Sequence, residues 1–156
     1  PGVAVIVERN TSRGVYVLVG IRSATLAGTH TGMVSVPAGL MRAHENVTDA
    51  MARELNEETG ITSIEIKATT AARNPDAPNT TFVFRIQTHE VDVRETYEEK
   101  GRRFIWVNRD DVLFPAVQGN GDNLVQSFRS AGIEVPDDVV IAPDISEGLR
   151  RIYNFS

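Results

Sequence analysis

The sequence predicts an α/β protein, an α/β/α sandwich around a mixed β-sheet. Three observations predict it: β-rich runs recur along the chain, one segment with helical composition and both helix caps interrupts them, and two helical segments close the chain. Residues 3–7 (Val-Ala-Val-Ile-Val) are the first β-rich run, ended by a polar turn over 8–14. Residues 15–22 resume the pattern, so the two runs are expected to form a hairpin or to lie side by side. A loop rich in Thr and Gly follows over 23–32, then a short strand at 33–36, stopped by Pro37-Ala38-Gly39. Residues 47–59 are a helix: Asn46 stands at the N-cap, Gly60 lies just past the end, and Ala, Met, Leu, Arg and Glu fill the interior. Strands are expected at 61–72 and 80–87, separated by the turn Asn74-Pro75-Asp76-Ala77-Pro78-Asn79. A charged loop over 95–100 leads to a strand at 103–107, and helices follow at 123–131 and 146–153. No repeat or low-complexity tract interrupts this order.

The chain has 156 residues, which suits one domain over 1–156, with 120–156 as a helical extension. Hydrophobic residues at 41% and charged residues at 24% are ordinary for a globular domain and exclude a wholly disordered or collagen-like chain. There is no cysteine, which removes disulfide frameworks, thiolate zinc sites and catalytic thiols together. The net charge of −5 argues against an extended nucleic-acid groove, though a metal ion could still supply local positive charge for a phosphorylated small molecule. The apolar run at 3–7 is too short for a membrane helix or signal peptide, so a cytoplasmic enzyme or binding module is expected. The chain opens on Pro1 rather than methionine, from which a trimmed N-terminus is expected.

The central helix breaks the usual surface pattern. At roughly 100° per residue, Val47, Ala50, Met51 and Leu55 share one face, which should be the buried stripe. Glu54 and Glu58 fall within that stripe and Glu57 at its edge, while Thr48, Asp49, Ala52, Asn56 and Thr59 lie opposite. Inward carboxylates at such spacing are costly unless paired, and they repel one another. Arg53 on the adjoining flank cannot neutralise all three. A hard divalent cation with oxygen ligands can. A solvated, Glu-rich helix end is the plainer reading of the glutamates taken alone.

The helix does not stand alone. Gly39, five residues, Glu45, seven residues, then Arg53-Glu54-Leu55-Asn56-Glu57-Glu58-Thr59-Gly60-Ile61 resembles, position for position, the signature of the Nudix hydrolases. The resemblance implies the Nudix fold, with this box as a loop–helix–loop, and a pyrophosphatase that needs Mg²⁺ or Mn²⁺. It implies Glu54, Glu57 and Glu58 as metal ligands with the Gly39 carbonyl, Arg53 as the residue orienting a box glutamate, and Glu45 as the tie between loop and helix. Gly39 and Gly60 would have backbone roles, a tight turn and a C-cap. The substrate would be a nucleoside diphosphate linked to a group X, split into a nucleoside monophosphate and phosphorylated X. The resemblance also implies catalytic roles for Arg53 and for the box carboxylates Glu54 and Glu57, with Glu54 a candidate base. Relatives often recruit a further glutamate as base, and here Glu98 or Glu99 is available, although Arg102 and Arg103 occupy its usual place just before the strand.

Arg22, at a strand end, and Arg73 are expected substrate-binding cations, and Arg85 a surface one. Pro37-Ala38-Gly39-Leu40 is similar to the start of the box in ADP-ribose and nucleotide-sugar pyrophosphatases, and Pro75 lies one residue short of a proline that such proteins carry beyond it. That branch often dimerises, so a homodimer is one expectation. Nucleoside triphosphates and dinucleoside polyphosphates remain alternative substrates, and a non-catalytic nucleotide sensor an alternative role. Isopentenyl diphosphate isomerase chemistry in the same fold uses a cysteine, which this chain lacks. His30, His44 and His89 have no zinc-like spacing. Trp106, Tyr16, Phe82 and Phe84 read as core, and residues 135–156 carry no functional signal.

Overall fold

A computed structural model describes residues 1–22, 33–73, 79–90, 92–99 and 101–155. Among the described residues nine strands form one mixed sheet: β1 (Gly2–Thr11), β2 (Gly14–Arg22), β3 (Met33–Ser35), β4 (Ala38–Leu40), β5 (Ile64–Arg73), β6 (Thr80–Thr88), β7 (Thr96–Glu99), β8 (Arg102–Asn108) and β9 (Val140–Ile141). The helices are α1 (Val47–Thr59), α2 (Phe114–Val117), which follows a π-helical turn at Arg109–Leu113, α3 (Asp122–Ser130) and α4 (Pro143–Ile152). Among the described residues no helix is long and apolar enough to cross a membrane.

The sheet is mixed because β1 pairs β6 in parallel while β1–β2, β2–β8, β5–β6 and β7–β8 run antiparallel. Side chains of β1 alternate between two buried layers: Val3, Val5 and Val7 pack with α1, and Ala4 and Ile6 pack with the C-terminal helices. Burial on both faces explains why this strand reads as a continuous apolar run.

β1 and β2 pair only where Glu8–Thr11 meet Gly14–Val17. Beyond that they fork. β4 pairs Gly2–Ala4 on β1, β3 pairs Gly20 and Ile21 on β2, and the amide of Val5 donates to Pro37 O at 2.9 Å across the fork. The short β3–β4 unit therefore wedges into the open end of the sheet and carries Gly39 onto α1 at Glu54.

Helix α1 has the bounds its sequence predicts. Asn46 Oδ1 accepts the Asp49 amide at 2.8 Å, and Gly60 closes the helix at φ 75°, donating to Asn56 O at 2.8 Å. Other expectations need correction. The turn placed over 8–14 shrinks to residues 12–13, because β1 runs to Thr11. The Pro-Ala-Gly stop is a strand from Ala38 onward, since it finds an edge on β1 far away in sequence, and the charged loop over 95–100 contains β7, which folds back on β8 directly after it. The π-helical turn, α2 and β9 were not foreseen. The expected loop over 23–32, with His30, and residues 74–78 of the expected turn, with Pro75, lie outside the described residues.

Extending β1 has one large consequence. Glu8 is fully buried, its carboxylate accepting from Arg85 Nε at 2.9 Å, Arg109 Nη1 at 2.9 Å, Gln87 Nε2 at 3.4 Å and the Tyr153 hydroxyl. Arg85 is thus an internal counter-ion rather than a loose surface cation. Phe114 stacks edge-on against Tyr153 and Phe155, so this charge cluster fastens the C-terminus to the sheet. Within α4, a Cβ at Gly148 would come 2.7 Å from Val83 Cγ2; the helix backbone lies directly on β6 only because that position has no side chain.

Candidate active site

The buried face of α1 is Ala50, Met51, Glu54, Leu55 and Glu58, the stripe the helical wheel assigns. Glu54 and Glu58 are only 4% and 5% exposed, and both reach the strand lying across the helix. Glu58 Oε2 accepts the Ala38 amide at 2.9 Å. A Cβ at Gly39 would come 2.2 Å from Glu54 Cδ, an impossible approach. Gly39 is therefore required by close packing in β4 and not by a tight turn, which corrects the sequence reading.

Charge balance is supplied mainly by one guanidinium. Arg53 grips Glu45 with Nε and Nη2 at 2.7 and 2.9 Å, and its Nη1 reaches Glu54 Oε1 at 3.0 Å and Glu57 Oε2 at 3.3 Å. Nη2 also donates to Leu40 O at 3.1 Å, tying the loop before the helix to the helix itself. Glu45 accepts the Arg42 amide as well, and the Arg53 fork with that amide holds its carboxyl down to about 2. The hydrogen bonds that Arg53 donates, foremost to Glu45 and then to Glu54, raise its pKa further, so it stays charged.

Two cations missing from the sequence-level balance also appear. Arg42 Nη2 lies 3.3 Å from Glu57 Oε1, and Arg102 Nη1 lies 4.0 Å from Glu58 Oε1. Glu57 is the most open of the three helix carboxylates, with its side chain 37% exposed. One oxygen stands apart: Glu54 Oε2 is buried and has no hydrogen-bond partner among the described residues. Among those residues no group of three His, Asp or Glu side chains is drawn close enough to hold a metal ion by itself.

The β7–β8 register separates the two glutamates considered as a base. Glu99 pairs Arg102 and Tyr97 pairs Phe104; Tyr97 and Phe104 belong to the core layer of α1. With the side-chain period of two, Glu99 and Arg102 share that face, while the exposed Glu98 lies on the other, opposite Arg103. Glu99 thus stands across a strand pair from Arg102, the residue beside Glu58.

A cleft of about 290 Å³ opens beside these groups, lined by Gly2, Ala38, Gly39, Thr81, Arg102 and Asp144 among others. Arg22 ends β2 opposite Arg102, and its side chain lies outside the described residues. Arg73 ends β5 with its amide held by Glu147 Oε2 at 3.1 Å; it is exposed and not among the residues lining the cleft. His44 takes φ 64° in the loop before α1, and His89 lies 3.6 Å from Glu65 on the surface. Thr81 and Asp144 went unnoticed in the sequence, because nothing local marks a contact between residues so far apart. A larger hollow of about 540 Å³, lined by Arg9, Tyr16 and Trp106 among others, contains no box residue; Trp106 is half-buried there, its indole donating to Arg94 O at 2.8 Å.

The family model described as NUDIX domain matches residues 1–128. No curated protein matches the chain. Similar solved structures include a C. elegans Ap4A hydrolase binary complex (18% identity, 85% of this chain and 100% of that one, TM-score 0.58). The Nudix hydrolase RenU from M. smegmatis is similar as well (12% identity, 98% and 83%, TM-score 0.58). So is the NUDIX domain of Shewanella oneidensis NrtR complexed with ADP ribose (18% identity, 84% of each chain, TM-score 0.50).

Proposed function

The chain belongs to the NUDIX family, as a pyrophosphatase acting on phosphoanhydride bonds, and from that premise we propose a metal-dependent hydrolase of a nucleoside diphosphate linked to a group X. The products are a nucleoside monophosphate and phosphorylated X. The observation that carries the reading is the acidic face of α1, buried against Gly39, with Glu54 Oε2 left without a partner among the described residues. An all-oxygen set with an unsatisfied buried acceptor fits a hard cation. Glu54, Glu57 and Glu58, with the Gly39 carbonyl, would hold Mg²⁺ or Mn²⁺. When bound, such an ion lowers the pKa of water at the site and offsets phosphate charge.

The chain's own residues supply the rest. Arg53 aims Glu54 and Glu57, a positioning role its contacts support. Arg102, on the wall of the cleft, offers a guanidinium to phosphate oxygens, and Arg22 is a second phosphate contact by its place at the end of β2. Glu99 accepts a proton from the attacking water. As the water oxygen bonds to phosphorus, the bridging P–O bond breaks and its electron pair leaves with the departing phosphate.

As the substrate we propose ADP-ribose or a nucleotide sugar first, so that X is a sugar, on the strength of Pro37-Ala38-Gly39-Leu40 and the cleft beside it. Dinucleoside polyphosphates and nucleoside triphosphates come second. Product release from a panel of these compounds should require Mg²⁺ or Mn²⁺, and Glu57→Gln or Glu58→Gln should cut turnover by about 10²-fold or more with folding intact. Full activity in excess chelator would refute the mechanism. Tight binding of one nucleotide without turnover would favour a sensor.

A further inference from the structure

We propose that Thr81 and Asp144 form a subsite in the cleft that reads a sugar hydroxyl of the nucleotide, a specificity that rests on the hydrolase reading above. The residues come from distant parts of the chain. Thr81 is the second residue of β6 and is 8% exposed; Asp144 stands in the first turn of α4. Thr81 Oγ1 donates to Asp144 Oδ2 at 2.8 Å, and Asp144 Oδ1 accepts the Ile145 amide at 2.9 Å. Both residues line the same cleft as Gly39 and Arg102.

The chemistry of that wall selects its ligand group. An ionised carboxylate only accepts hydrogen bonds and has about four acceptor sites, so the two donors seen leave capacity for more. It repels phosphate, which the arginine side of the cleft attracts. The cleft is therefore polarised: Arg102 suits the diphosphate, and Asp144 suits a neutral group that donates. Because the Thr81 hydrogen is committed to Asp144, the threonine oxygen faces a ligand as an acceptor too. A sugar hydroxyl, or a vicinal pair, fits two neighbouring acceptors. The close seat of α4 on β6 at Gly148 holds this arrangement in place. A volume of about 290 Å³ lies near the lower end of small-molecule sites and suits a sugar with a phosphate.

The hydroxyl could belong to the nucleoside ribose or to a distal sugar. Calorimetric binding of ADP-ribose, ATP and dATP, with Mg²⁺ and in a Glu57→Gln background that silences turnover, separates them. Asp144→Asn and Thr81→Val should each weaken ADP-ribose at least tenfold, and Thr81→Ser should restore binding. Loss for ADP-ribose and ATP but not dATP places the nucleoside 2′-hydroxyl in the subsite. Loss for ADP-ribose alone places the distal sugar there. Equal loss for all three with thermal stability unchanged places the nucleoside 3′-hydroxyl, which they share, in the subsite; equal loss with a matching fall in Tm, as expected if the pair merely anchors α4, overturns the proposal, and so does no loss or no binding by any of them. Turnover by the wild-type protein, measured separately, tests the hydrolase reading on its own.

Discussion

Replacing Gly39 with alanine tests the geometry of the site most directly. The new methyl carbon would lie 2.2 Å from both Glu54 Cδ and Oε1. Since carbon contacts settle near 3.5–4.0 Å, something must retreat by more than about 1 Å. The retreat falls on the carboxylate or on β4. Glu54 is 4% exposed and tethered through Oε1 to Arg53 at 3.0 Å, while β4 is hydrogen-bonded to β1 and to Glu58. Overpacking of this kind costs about 1–3 kcal/mol of stability, and a 1 Å misplacement of a working group costs about 10² in rate. Gly39→Ala should therefore lower kcat about 100-fold on the best substrate of the panel, with a loss of only a few degrees in Tm by circular dichroism. Glu54→Asp, which withdraws the carboxylate by one methylene, should be strongly non-additive with it. Near wild-type kcat for Gly39→Ala would refute the packing argument, because Glu54 would then have no fixed position to lose.

Glu99→Gln should depress kcat by about 10²–10⁴-fold, whereas Glu98→Gln leaves it unchanged; equal effects would contradict the strand register. Glu45, held at about 2 against an ordinary 4.5, has its folded pKa depressed, so its contribution to stability is complete above the unfolded value and is lost as pH falls from 4.5 toward 2. Carboxyl NMR titration of Glu45 in wild type and Arg53→Lys should show that depression shrinking with the loss of the fork. Glu8→Gln strands two arginines and should cost about 3 kcal/mol in urea unfolding, with turnover per folded molecule retained. Burial pushes the Glu8 carboxyl up, but hydrogen bonds from Tyr153, Arg85 and Arg109 outweigh it and leave it lowered, so acid unfolding should be less steep in Glu8→Gln than in wild type.

Much of the site was legible because its information is local. Helix caps, a periodic apolar stripe and carboxylates within that stripe are all set by neighbours three or four residues apart, so Val47–Thr59 and its inward Glu54 and Glu58 could be read before any fold existed. The spacing from Gly39 to Ile61 carried the family for the same reason. Two short strands were less legible: β4 looks like a turn until β1, distant in sequence, supplies its edge, and β7 looks like a charged loop because glutamate is a poor strand former, although its partner β8 follows directly.

By itself, then, the sequence determined the acidic helix, its family and the chemistry that family performs. Only the tertiary structure decided that Glu8 is a buried anion rather than part of a turn, that Glu99 and not Glu98 faces the box, and that Asp144 reaches Thr81 at the mouth of the cleft. The reason is physical: strand parity and long-range burial depend on which edges meet, and side chains alternate faces with every residue. A shift of one position reverses each assignment, and no local pattern records that register.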